Sequence, residues 1–402
     1  MERLFVRSSE IYAERGVVDG SVVVTDGRIE EICPGEPERG SEVLDVRPHW
    51  VFPGLLDMHI HGAGGWNVEG GDPEGLRNLA RYLASMGVTG FQPTLAASPP
   101  DATAGVAKAV GDAIADPPAD GARILGLHME GPYLSPKRPG AMDPTYLRDP
   151  SRQEIEDLDA VAPGVLRHLT LAPERAGALE LIEWLVRRGV VVSGGHTDAT
   201  YDEARAGVEA GIRLANHTFN AMRGLHQREP GALAAFVLDE RVACELIADG
   251  RHVHPAAIDL LLRLAGPERV CLVSDAVFPA GLRPGVYELS GRRARVTEDG
   301  SCLLPDGRLA GSAHLVLHGI RTLVEQVGTP ITDAVRMASA VPARVLGLDG
   351  KKGALAPERD ADLIAVSTDW EVIWTLVEGR VAHAPGRAED RTNPAYGGSG
   401  AI

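Results

Sequence analysis

The sequence predicts an α/β protein, a (β/α)8 TIM barrel with a small β-sandwich domain formed from both chain ends. In the middle of the chain, short apolar runs that suit buried parallel strands alternate with stretches of helical periodicity. At both ends, strand-like segments follow one another without helices between them. We therefore expect residues 1–52 and 347–402 to form the β domain and residues 53–346 to form the barrel.

The first fifty residues predict strands, because apolar and β-branched residues recur there in short segments. Four segments carry this pattern, LFVRS, SVVVT, RIEEI and EVLDV. Asp26-Gly27 lies between two of them and predicts a tight hairpin turn. Near the other end, residues 362–366 and 371–377 predict two further strands, and Glu378-Gly379-Arg380 predicts the turn that reverses the chain.

The middle segment contains eight candidate strands, and repeated βα units of this number predict a closed parallel barrel. The strands are residues 51–57, 88–93, 124–129, 168–172, 190–193, 213–215, 244–248 and 270–273. Helical patterns follow most of them, at residues 74–86, 102–115, 176–188, 202–210, 231–238 and 255–265. An open, doubly wound sheet is the alternative architecture. Residues 282–308 break the repeat and predict a β-hairpin inserted after the eighth strand.

The chemically suggestive residues all follow the C-terminal ends of candidate strands, which is the face where α/β barrels form their active sites. They are His59 and His61 after the first strand, Glu130 after the third, His196 after the fifth, His217 after the sixth, Asp249 and His252 after the seventh, and Asp275 after the eighth. Each alone could be a core, turn or capping residue. Their shared face favours a metal site, because imidazole and carboxylate are ligands for Zn²⁺ and similar ions.

The spacing of these residues indicates a chemistry. His59 and His61 are two residues apart on a strand, so both point to one face and can chelate one ion. Glu130 supplies an anionic oxygen that can bind one ion or bridge two. A bound divalent ion would lower the pKa of water and polarise a carbonyl. Asp275 is the candidate group to take the proton of the attacking water and return it to a leaving amine. Metal-dependent hydrolysis of a small amide is therefore predicted.

Taken in their order along the chain, these motifs resemble those of the amidohydrolase superfamily and, within it, those of the N-acetylglucosamine-6-phosphate deacetylases. The matching segments are PGLLDMHIHG (53–62), LHMEGPYLSPKRPGA (127–141), GGHTDATYDEA (194–204), NHTFNAM (216–222), REPG (228–231), ADGRHV (248–253), VSDA (273–276) and LAGS (309–312). HMEGP together with NHTFNAM is specific, whereas HxH and SDA indicate only the superfamily. The resemblance implies hydrolysis of N-acetylglucosamine 6-phosphate to glucosamine 6-phosphate and acetate.

The resemblance also implies a role for each site residue. Glu130, His196 and His217 would hold the principal ion, which is expected to be Zn²⁺, and Asp275 would be the catalytic acid/base. The intact pair His59 and His61 allows a second ion. The expected substrate contacts are Asn220 and Ala221 near the phosphate, His252 at the sugar, Arg228 at the phosphate of the neighbouring subunit's substrate, Ala141 and Met142, and Leu309, Ala310, Gly311 and Ser312 on the acetyl side. A homodimer is therefore expected.

One position departs from the family pattern, since Met142 stands where a histidine usually follows Ala141. That histidine is expected to donate a hydrogen bond near the acetyl carbonyl, and a thioether cannot donate. Losing one oxyanion donor costs about 10²–10³ in rate. Another donor, a second metal ion or a different substrate would account for the change. The alternatives are N-acetylgalactosamine 6-phosphate, an unphosphorylated amino sugar, or a non-catalytic sugar-phosphate sensor.

Two other activities of the superfamily are less favoured by the residues. Cyclic amidases and aminoacylases often carry a bridging lysine after the fourth strand, where this chain reads LTLAPERAG. A deaminase would need a base-stacking pocket, and only 4% of the residues are aromatic.

The composition limits the expected partners and compartment. The net charge of −16 argues against nucleic acid or an anionic membrane as the main partner, because no surplus of basic residues exists to neutralise phosphates. No apolar stretch approaches the roughly 20 residues that span a bilayer. The four cysteines are scattered and no secretory signal is recognisable at the N-terminus, so we expect a cytoplasmic protein.

Overall fold

The computed structural model describes residues 3–289, 291–386 and 391–397, so parts of the predicted terminal domain lie outside the described residues. The strands are β1 (Arg3–Ala13), β2 (Gly16–Thr25), β3 (Arg28–Pro34), β4 (Glu42–Asp45), β5 (Trp50–Pro53), β6 (Leu55–Ile60), β7 (Gly62–Ala63), β8 (Trp66–Asn67), β9 (Val88–Ala96), β10 (Arg123–Ile124), β11 (Leu127–Glu130), β12 (Leu166–Leu171), β13 (Val191–Gly194), β14 (Leu214–Ala215), β15 (Ala243–Ile247), β16 (Val270–Val273), β17 (Gly285–Leu289), β18 (Arg292–Val296), β19 (Ser301–Leu303), β20 (Leu309–Ser312), β21 (Leu363–Val366), β22 (Val372–Val377) and β23 (Arg380–His383). The helices are α1 (Pro73–Ser85), α2 (Pro100–Ala115), α3 (Arg152–Val161), α4 (Ala178–Arg187), α5 (Tyr201–Ala210), α6 (Gly231–Leu238), α7 (Pro255–Ala265), α8 (Val316–Thr322), α9 (Ile331–Met337), α10 (Ala340–Val345) and α11 (Pro394–Gly397).

The barrel confirms the predicted fold class. Eight strands pair in parallel in the order β6, β9, β11, β12, β13, β14, β15 and β16. A bridge between Ile60 and Ala276 closes the ring after the last strand. The six predicted helices are confirmed as α1, α2 and α4 to α7, each within two residues of its predicted ends. Because all eight strands run in the same direction, their C-terminal ends meet at one mouth.

Two predicted strands need correction, because each is divided in the structure. Residues 51–57 are divided between β5, which pairs with β21 in the terminal sheet, and β6, the first barrel strand. Gly54 separates them, and a Cβ there would lie 2.2 Å from Thr89 Oγ1. Residues 124–129 similarly combine β10 with β11, with Gly126 at a φ of 107° between them. Each pair forms one continuous apolar run, so hydrophobicity alone did not show the break.

Helix α3 was not predicted, and its composition explains why. It presents only Ile155 and Leu158 as buried side chains, and the rest of the helix is mainly charged. Ser151 accepts a hydrogen bond from the N–H of Glu154 and caps the N-terminus. Two apolar positions are too few to produce a visible helical period in the sequence.

Both ends of the chain contribute to one eight-stranded sheet, as predicted. Its order is β23-β22-β21-β5-β1-β2-β3, with β4 paired to β1. The predicted turns at Asp26-Gly27 and Glu378-Gly379 have positive φ at all four residues, which is the backbone that two-residue hairpins require. The N–H of Ala361 donates to Gly27 O at 2.8 Å, and the N–H of Gly379 donates to Ala361 O at 3.0 Å, so the two turns pack together.

The insertion after the eighth barrel strand is larger than the predicted hairpin. It is a four-stranded antiparallel sheet, β17 to β20, because the LAGS segment forms its last strand. Its apolar side packs on Val277 and encloses Ala294, Val296 and Leu304. Through the bridge between Ala276 and Ser312, the sheet is fixed beside the barrel mouth.

Within the described residues, no helix combines the length and the apolar character needed to cross a bilayer.

Candidate metal centre

The structure brings the predicted metal ligands and the predicted acid/base together at the barrel mouth. His59 lies on β6 with His61 directly after it, Glu130 ends β11, and His196, His217 and Asp275 follow β13, β14 and β16. All are buried or nearly so, and the side chains of His61 and Asp275 are the most exposed at 13% each. The convergence predicted from the strand ends is therefore observed.

Glu130, His196 and His217 form one group whose ligand atoms all lie within 4.8 Å of one another. Oε1 of Glu130 lies 3.1 Å from His196 Nε2 and 2.8 Å from His217 Nε2. The two Nε2 atoms are 3.0 Å apart. Three donor atoms facing one point from three strands form a chelating geometry.

His59, His61 and Asp275 form a second group of the same kind. His61 Nε2 lies 3.2 Å from Asp275 Oδ1 and 3.2 Å from Glu130 Oε2. His59 Nε2 lies 3.5 Å from the same two oxygens. Glu130 thus directs one oxygen to each group, which is the arrangement of a carboxylate that bridges two cations.

The hydrogen bonds outside the groups fix which imidazole nitrogens carry protons. His196 Nδ1 lies 2.9 Å from the carbonyl oxygen of Arg138, so Nδ1 is the donor and Nε2 presents a lone pair to Glu130. His59 Nδ1 lies 3.0 Å from the Glu245 carboxylate, and its Nε2 is buried without a hydrogen-bond partner. Imidazole nitrogens that face carboxylate oxygens need a positive charge between them, either a proton or a metal ion. The donor set therefore fits a divalent ion.

The electrostatics of the cluster favour positive charge. Burial lowers the pKa of His61, but the carboxylates of Asp275 and Glu130 outweigh it and raise the pKa to about 9. Burial likewise lowers the pKa of His59, and Glu130, Glu245 and Asp275 together raise it well above its ordinary value. For Glu130, burial raises the pKa, but the surrounding imidazoles lower it well below the ordinary value. The site therefore stabilises cations and keeps Glu130 ionised.

Several site residues have a backbone conformation that non-glycine residues rarely adopt. His196, Ala221 and Asp275 have φ values of 44°, 49° and 48°. Such conformations cost about 1–3 kcal/mol each and persist where packing imposes them, most often at functional sites. The N–H of Ser312 donates to Asp275 O at 2.9 Å, and the N–H of Asp275 donates to His59 O at 2.9 Å. The backbone of Asp275 is thus fixed from both sides.

Glu245 and Asn216 support the ligands, and no role was predicted for either. Glu245 is fully buried on β15, where its Oε2 accepts hydrogen bonds from His59 Nδ1 at 3.0 Å and from the N–H of His217 at 2.9 Å. Asn216 Nδ2 donates to Glu130 Oε1 at 2.9 Å. A signal for Glu245 was present, since it is the one charged residue in the apolar run ACELI. Charged side chains are almost never fully buried unless they are paired.

We expect Glu245→Gln to weaken divalent-cation binding at the His59 group by about 10–100-fold, the range for losing a hydrogen bond that orients a metal ligand. The neutral amide keeps the size of the side chain but no longer holds the Nδ1 proton of His59 with a charge. Titration of the metal-free protein with Zn²⁺ against a competing chelator measures this without turnover. Glu183→Gln, on an exposed side chain of α4, is the matched control. Unchanged cation affinity would show that Glu245 has only a packing role.

Two further histidines lie beneath the site. The rings of His128 and His168 stack with centroids 3.7 Å apart. They hydrogen-bond to hydroxyl groups, His128 to Thr94 and Thr170 and His168 to Ser193. Burial holds the pKa of both imidazoles well below the ordinary value. They are neutral core residues that support the strands of the site.

A cavity of about 560 Å³ opens over the two groups. Most predicted substrate residues line it, and they are Ala141, Met142, Asn220, Ala221, His252, Leu309, Ala310 and Gly311. Ser312 and Arg228 are not among the lining residues, and Arg228 is exposed. His252 is held by Asp249, with Nδ1 and Oδ2 2.7 Å apart, and this carboxylate overcomes the effect of burial and raises the pKa of His252.

Met142 contributes an apolar wall to the cavity. It is 9% exposed and packs against Ala97 and Leu134. Polar side chains that were not predicted also line the cavity, and they are Asn67, Glu69, Ser98, Asp143, Tyr146, Arg292 and Arg308. No sequence motif marked them.

Comparisons with known proteins agree with this geometry. The amidohydrolase family model matches residues 50–382. The chain is 36% identical to the N-acetylglucosamine-6-phosphate deacetylase of Vibrio furnissii over 367 residues, covering 90% of each chain. It is also 36% identical to the N-acetylgalactosamine-6-phosphate deacetylase of Escherichia coli O157:H7, covering 94% of this chain and 98% of the relative. The crystal structure of N-acetyl-D-glucosamine-6-phosphate deacetylase from Mycobacterium smegmatis superposes with a TM-score of 0.88 at 32% identity, covering 95% of this chain and 100% of the other.

Proposed function

This chain belongs to the amidohydrolase family and, within it, to the N-acetylglucosamine-6-phosphate deacetylases, and we propose which reaction the site at its barrel mouth catalyses. The reaction is hydrolysis of the N-acetyl group of N-acetylglucosamine 6-phosphate to glucosamine 6-phosphate and acetate. The observation that carries the proposal is the meeting of Glu130, the paired imidazole groups and Asp275 in one cavity. The relatives named above, which match across nearly the whole chain, support it.

Each of the two ligand groups would hold one cation. Glu130, His196 and His217 would hold the principal ion, and His59 and His61 would hold a second one, with Asp275 beside them. Zn²⁺ suits this set of nitrogen and oxygen donors. When bound, such an ion lowers the pKa of water toward neutrality and polarises the acetyl carbonyl.

The residues of the chain supply the proton transfers. The charges of His59 and His61 outweigh the effect of burial and lower the pKa of Asp275, so its carboxylate is ionised near neutral pH. It can accept the proton of the attacking water and then donate it to the nitrogen of the departing amine. His252, which Asp249 orients, would contact the sugar. Asn220 and Ala221 would meet the substrate near its phosphate.

We also propose that the protein is a homodimer and that it is cytoplasmic. Arg228 is exposed and outside the cavity of its own subunit, which is consistent with a homodimer in which it reaches the neighbouring substrate. The cysteines of the described residues are all free, as is usual for a protein of the reducing cytoplasm.

One observation favours a second substrate, N-acetylgalactosamine 6-phosphate. The chain is 36% identical both to an N-acetylglucosamine-6-phosphate deacetylase and to an N-acetylgalactosamine-6-phosphate deacetylase. Acetate release should therefore be measured from N-acetylglucosamine 6-phosphate, N-acetylgalactosamine 6-phosphate and unphosphorylated N-acetylglucosamine, with metal content determined on the same sample. We expect the highest kcat/KM for N-acetylglucosamine 6-phosphate. Chelation of the metal should abolish the activity, and added Zn²⁺ should restore it. A higher kcat/KM for the galactosamine epimer would reassign the substrate. No acetate from any of the three would reject the proposed function.

A further inference from the structure

The last described segment of the chain, residues 391–397, packs beside the barrel mouth. It lies beyond residues 50–382, the range that the amidohydrolase family model matches, so membership of the family assigns it no role. Its neighbour is the β7–β8 hairpin, residues 62–67, which directly follows the proposed ligand His61. Neither element takes part in the proposed reaction. The role of the segment therefore has to be inferred from its contacts.

Backbone and side-chain hydrogen bonds join the segment to the hairpin. The N–H of Asn393 donates to Gly64 O at 2.6 Å, and Asn393 Nδ2 donates to Gly65 O at 3.1 Å. Trp66 Nε1 donates to the carbonyl oxygen of Arg391 at 3.1 Å. The two elements are closely packed, because a Cβ on Gly65 would lie 2.7 Å from Cβ of Asn393. Three successive hairpin residues are thus bonded to the segment.

Arg391 joins the other side of the segment to the barrel. Its Nη1 donates to Arg81 O at 3.0 Å and to Asp120 O at 3.2 Å, and its Nη2 donates to Asp120 Oδ2 at 3.3 Å. Arg81 belongs to α1, and Asp120 lies in the connection between α2 and β10. The side chain of Arg391 is only 13% exposed, so water competes little for these hydrogen bonds. The segment is therefore fixed to the barrel and can restrain the hairpin.

Tyr396 links the segment to the cavity wall. Its ring centroid lies 5.4 Å from that of Phe278 and 6.2 Å from that of Tyr287, and the rings of Phe278 and Tyr287 are 5.9 Å apart. Aromatic pairs at these separations stabilise one another. Phe278 is buried and lines the cavity, and its carbonyl oxygen accepts a hydrogen bond from the N–H of Gly65 at 2.8 Å. The segment thus contacts this ring of the wall directly and its backbone through the hairpin.

The hairpin also brings polar side chains to the cavity. Asn67 ends β8, Glu69 follows it, and both line the cavity. His61 has a separate anchor, since its N–H donates to Ala276 O at 2.8 Å. A shift of the hairpin would therefore move Asn67 and Glu69 more than it moves the ligand groups.

We propose that residues 391–397 position the cavity wall formed by Asn67, Glu69 and Phe278, and so determine how tightly the sugar is held. Asn393 and Tyr396 act as positioning residues, because neither lines the cavity. This role rests on the proposed function, since the sugar is the ligand that the wall would contact. The competing explanation is that the segment only covers the surface of the barrel and contributes to stability.

The variants Tyr396→Ala and Asn393→Ala separate these explanations, and Tyr396→Phe is the matched control. For each alanine variant we expect KM for N-acetylglucosamine 6-phosphate to rise about 3–10-fold, the range for losing an aromatic or hydrogen-bonded contact. A displaced wall weakens sugar binding without altering the proton transfers, so kcat and the affinity for Zn²⁺ should change by less than about 2-fold. Phenylalanine keeps the ring that contacts Phe278 and should reproduce the kinetics of the unaltered protein.

Hydrogen exchange of the holoenzyme measures the restraint itself. The N–H groups of Gly64 and Gly65 donate to the carbonyl oxygens of Ala280 and Phe278, both at 2.8 Å, and these bonds break when the hairpin opens. We therefore expect faster exchange in a peptide covering residues 62–69 of both alanine variants, and unchanged exchange in Tyr396→Phe.

Every other outcome overturns the positioning role. A lower kcat at unchanged KM would show that the segment only stabilises the fold, because less of the protein is then active. Faster exchange at unchanged KM would show that the hairpin is restrained without any effect on the sugar, and unchanged exchange would show that it is not restrained. If the unaltered protein releases no acetate, the proposed function fails. Calorimetric titration with glucosamine 6-phosphate then replaces KM, and equal affinity in Tyr396→Ala and Tyr396→Phe would reject the positioning role.

Discussion

Asp275→Asn is expected to lower kcat by about 10²–10⁴-fold while KM changes little, because the amide cannot accept the proton of the attacking water. The substitution preserves the size of the side chain and one oxygen atom. It also leaves intact the backbone hydrogen bonds that join Asp275 to His59 and Ser312. The loss should therefore fall on proton transfer rather than on folding or sugar binding. Steady-state acetate release measures kcat and KM, and calorimetry with the product amine measures binding.

Asp259→Asn, on the exposed side of α7, is the matched control and should behave as the unaltered protein. This experiment also tests whether the protein is a non-catalytic sensor. A sensor would show no turnover before or after the change, whereas an enzyme loses turnover and keeps product binding. Turnover of Asp275→Asn within a few-fold of the unaltered protein would show that another group carries the proton.

The convergence of the site residues could be predicted because it follows from topology. Side chains at the ends of parallel barrel strands must meet at one mouth, whatever their separation along the chain. His59 and Asp275 are far apart in sequence, and yet their Nε2 and Oδ1 atoms lie 3.5 Å apart. The alternation of eight apolar runs with helical patterns was therefore enough to predict that the site residues converge.

The residues that sequence reasoning missed are of two physical kinds. Glu245 belongs to the buried support of the ligands, where a charge is stabilised by hydrogen bonds from His59 and His217 that no local pattern reveals. Arg292 and Arg308 belong to the insertion that packs on Val277, Arg292 on a strand and Arg308 in the turn before β20. Strand periodicity indicates that such arginines lie on a sheet face, but it does not indicate which cavity that face lines.

Glu130→Gln is expected to weaken cation binding more than any other single change, because Glu130 contacts both ligand groups. Its Oε1 faces His196 and His217, and its Oε2 faces His61 at 3.2 Å. Removing its charge leaves only neutral imidazoles around the first position and Asp275 as the charged donor at the second, so we expect affinity for Zn²⁺ to fall by more than about 100-fold, beyond the range for supporting residues. Chelator-competition titration gives the affinity, and acetate release should decline with the occupancy of the site.

The same substitution should change how the stability of the metal-free protein depends on pH. The pKa of His61 is raised from 6.5 to about 9 in the folded state, against burial, by Asp275 and Glu130. A raised folded-state pKa stabilises the protein below pH 6.5, and this stabilisation is lost as the pH rises from 6.5 to about 9. The free energy of unfolding of the metal-free protein should therefore contain a contribution on the order of 1–3 kcal/mol that disappears over this window.

In Glu130→Gln, Asp275 alone remains to raise the pKa of His61, so the decrease in unfolding free energy between pH 6.5 and 9 should be smaller than in the unaltered protein. Urea unfolding of metal-free samples at a series of pH values measures the decrease directly. Glu156→Gln, which alters an exposed side chain of α3, is the control and should reproduce the pH profile of the unaltered protein. An identical profile in Glu130→Gln, together with unchanged Zn²⁺ affinity, would mean that Glu130 neither holds protons on the imidazoles nor binds the ion, and the proposed centre would have to be abandoned.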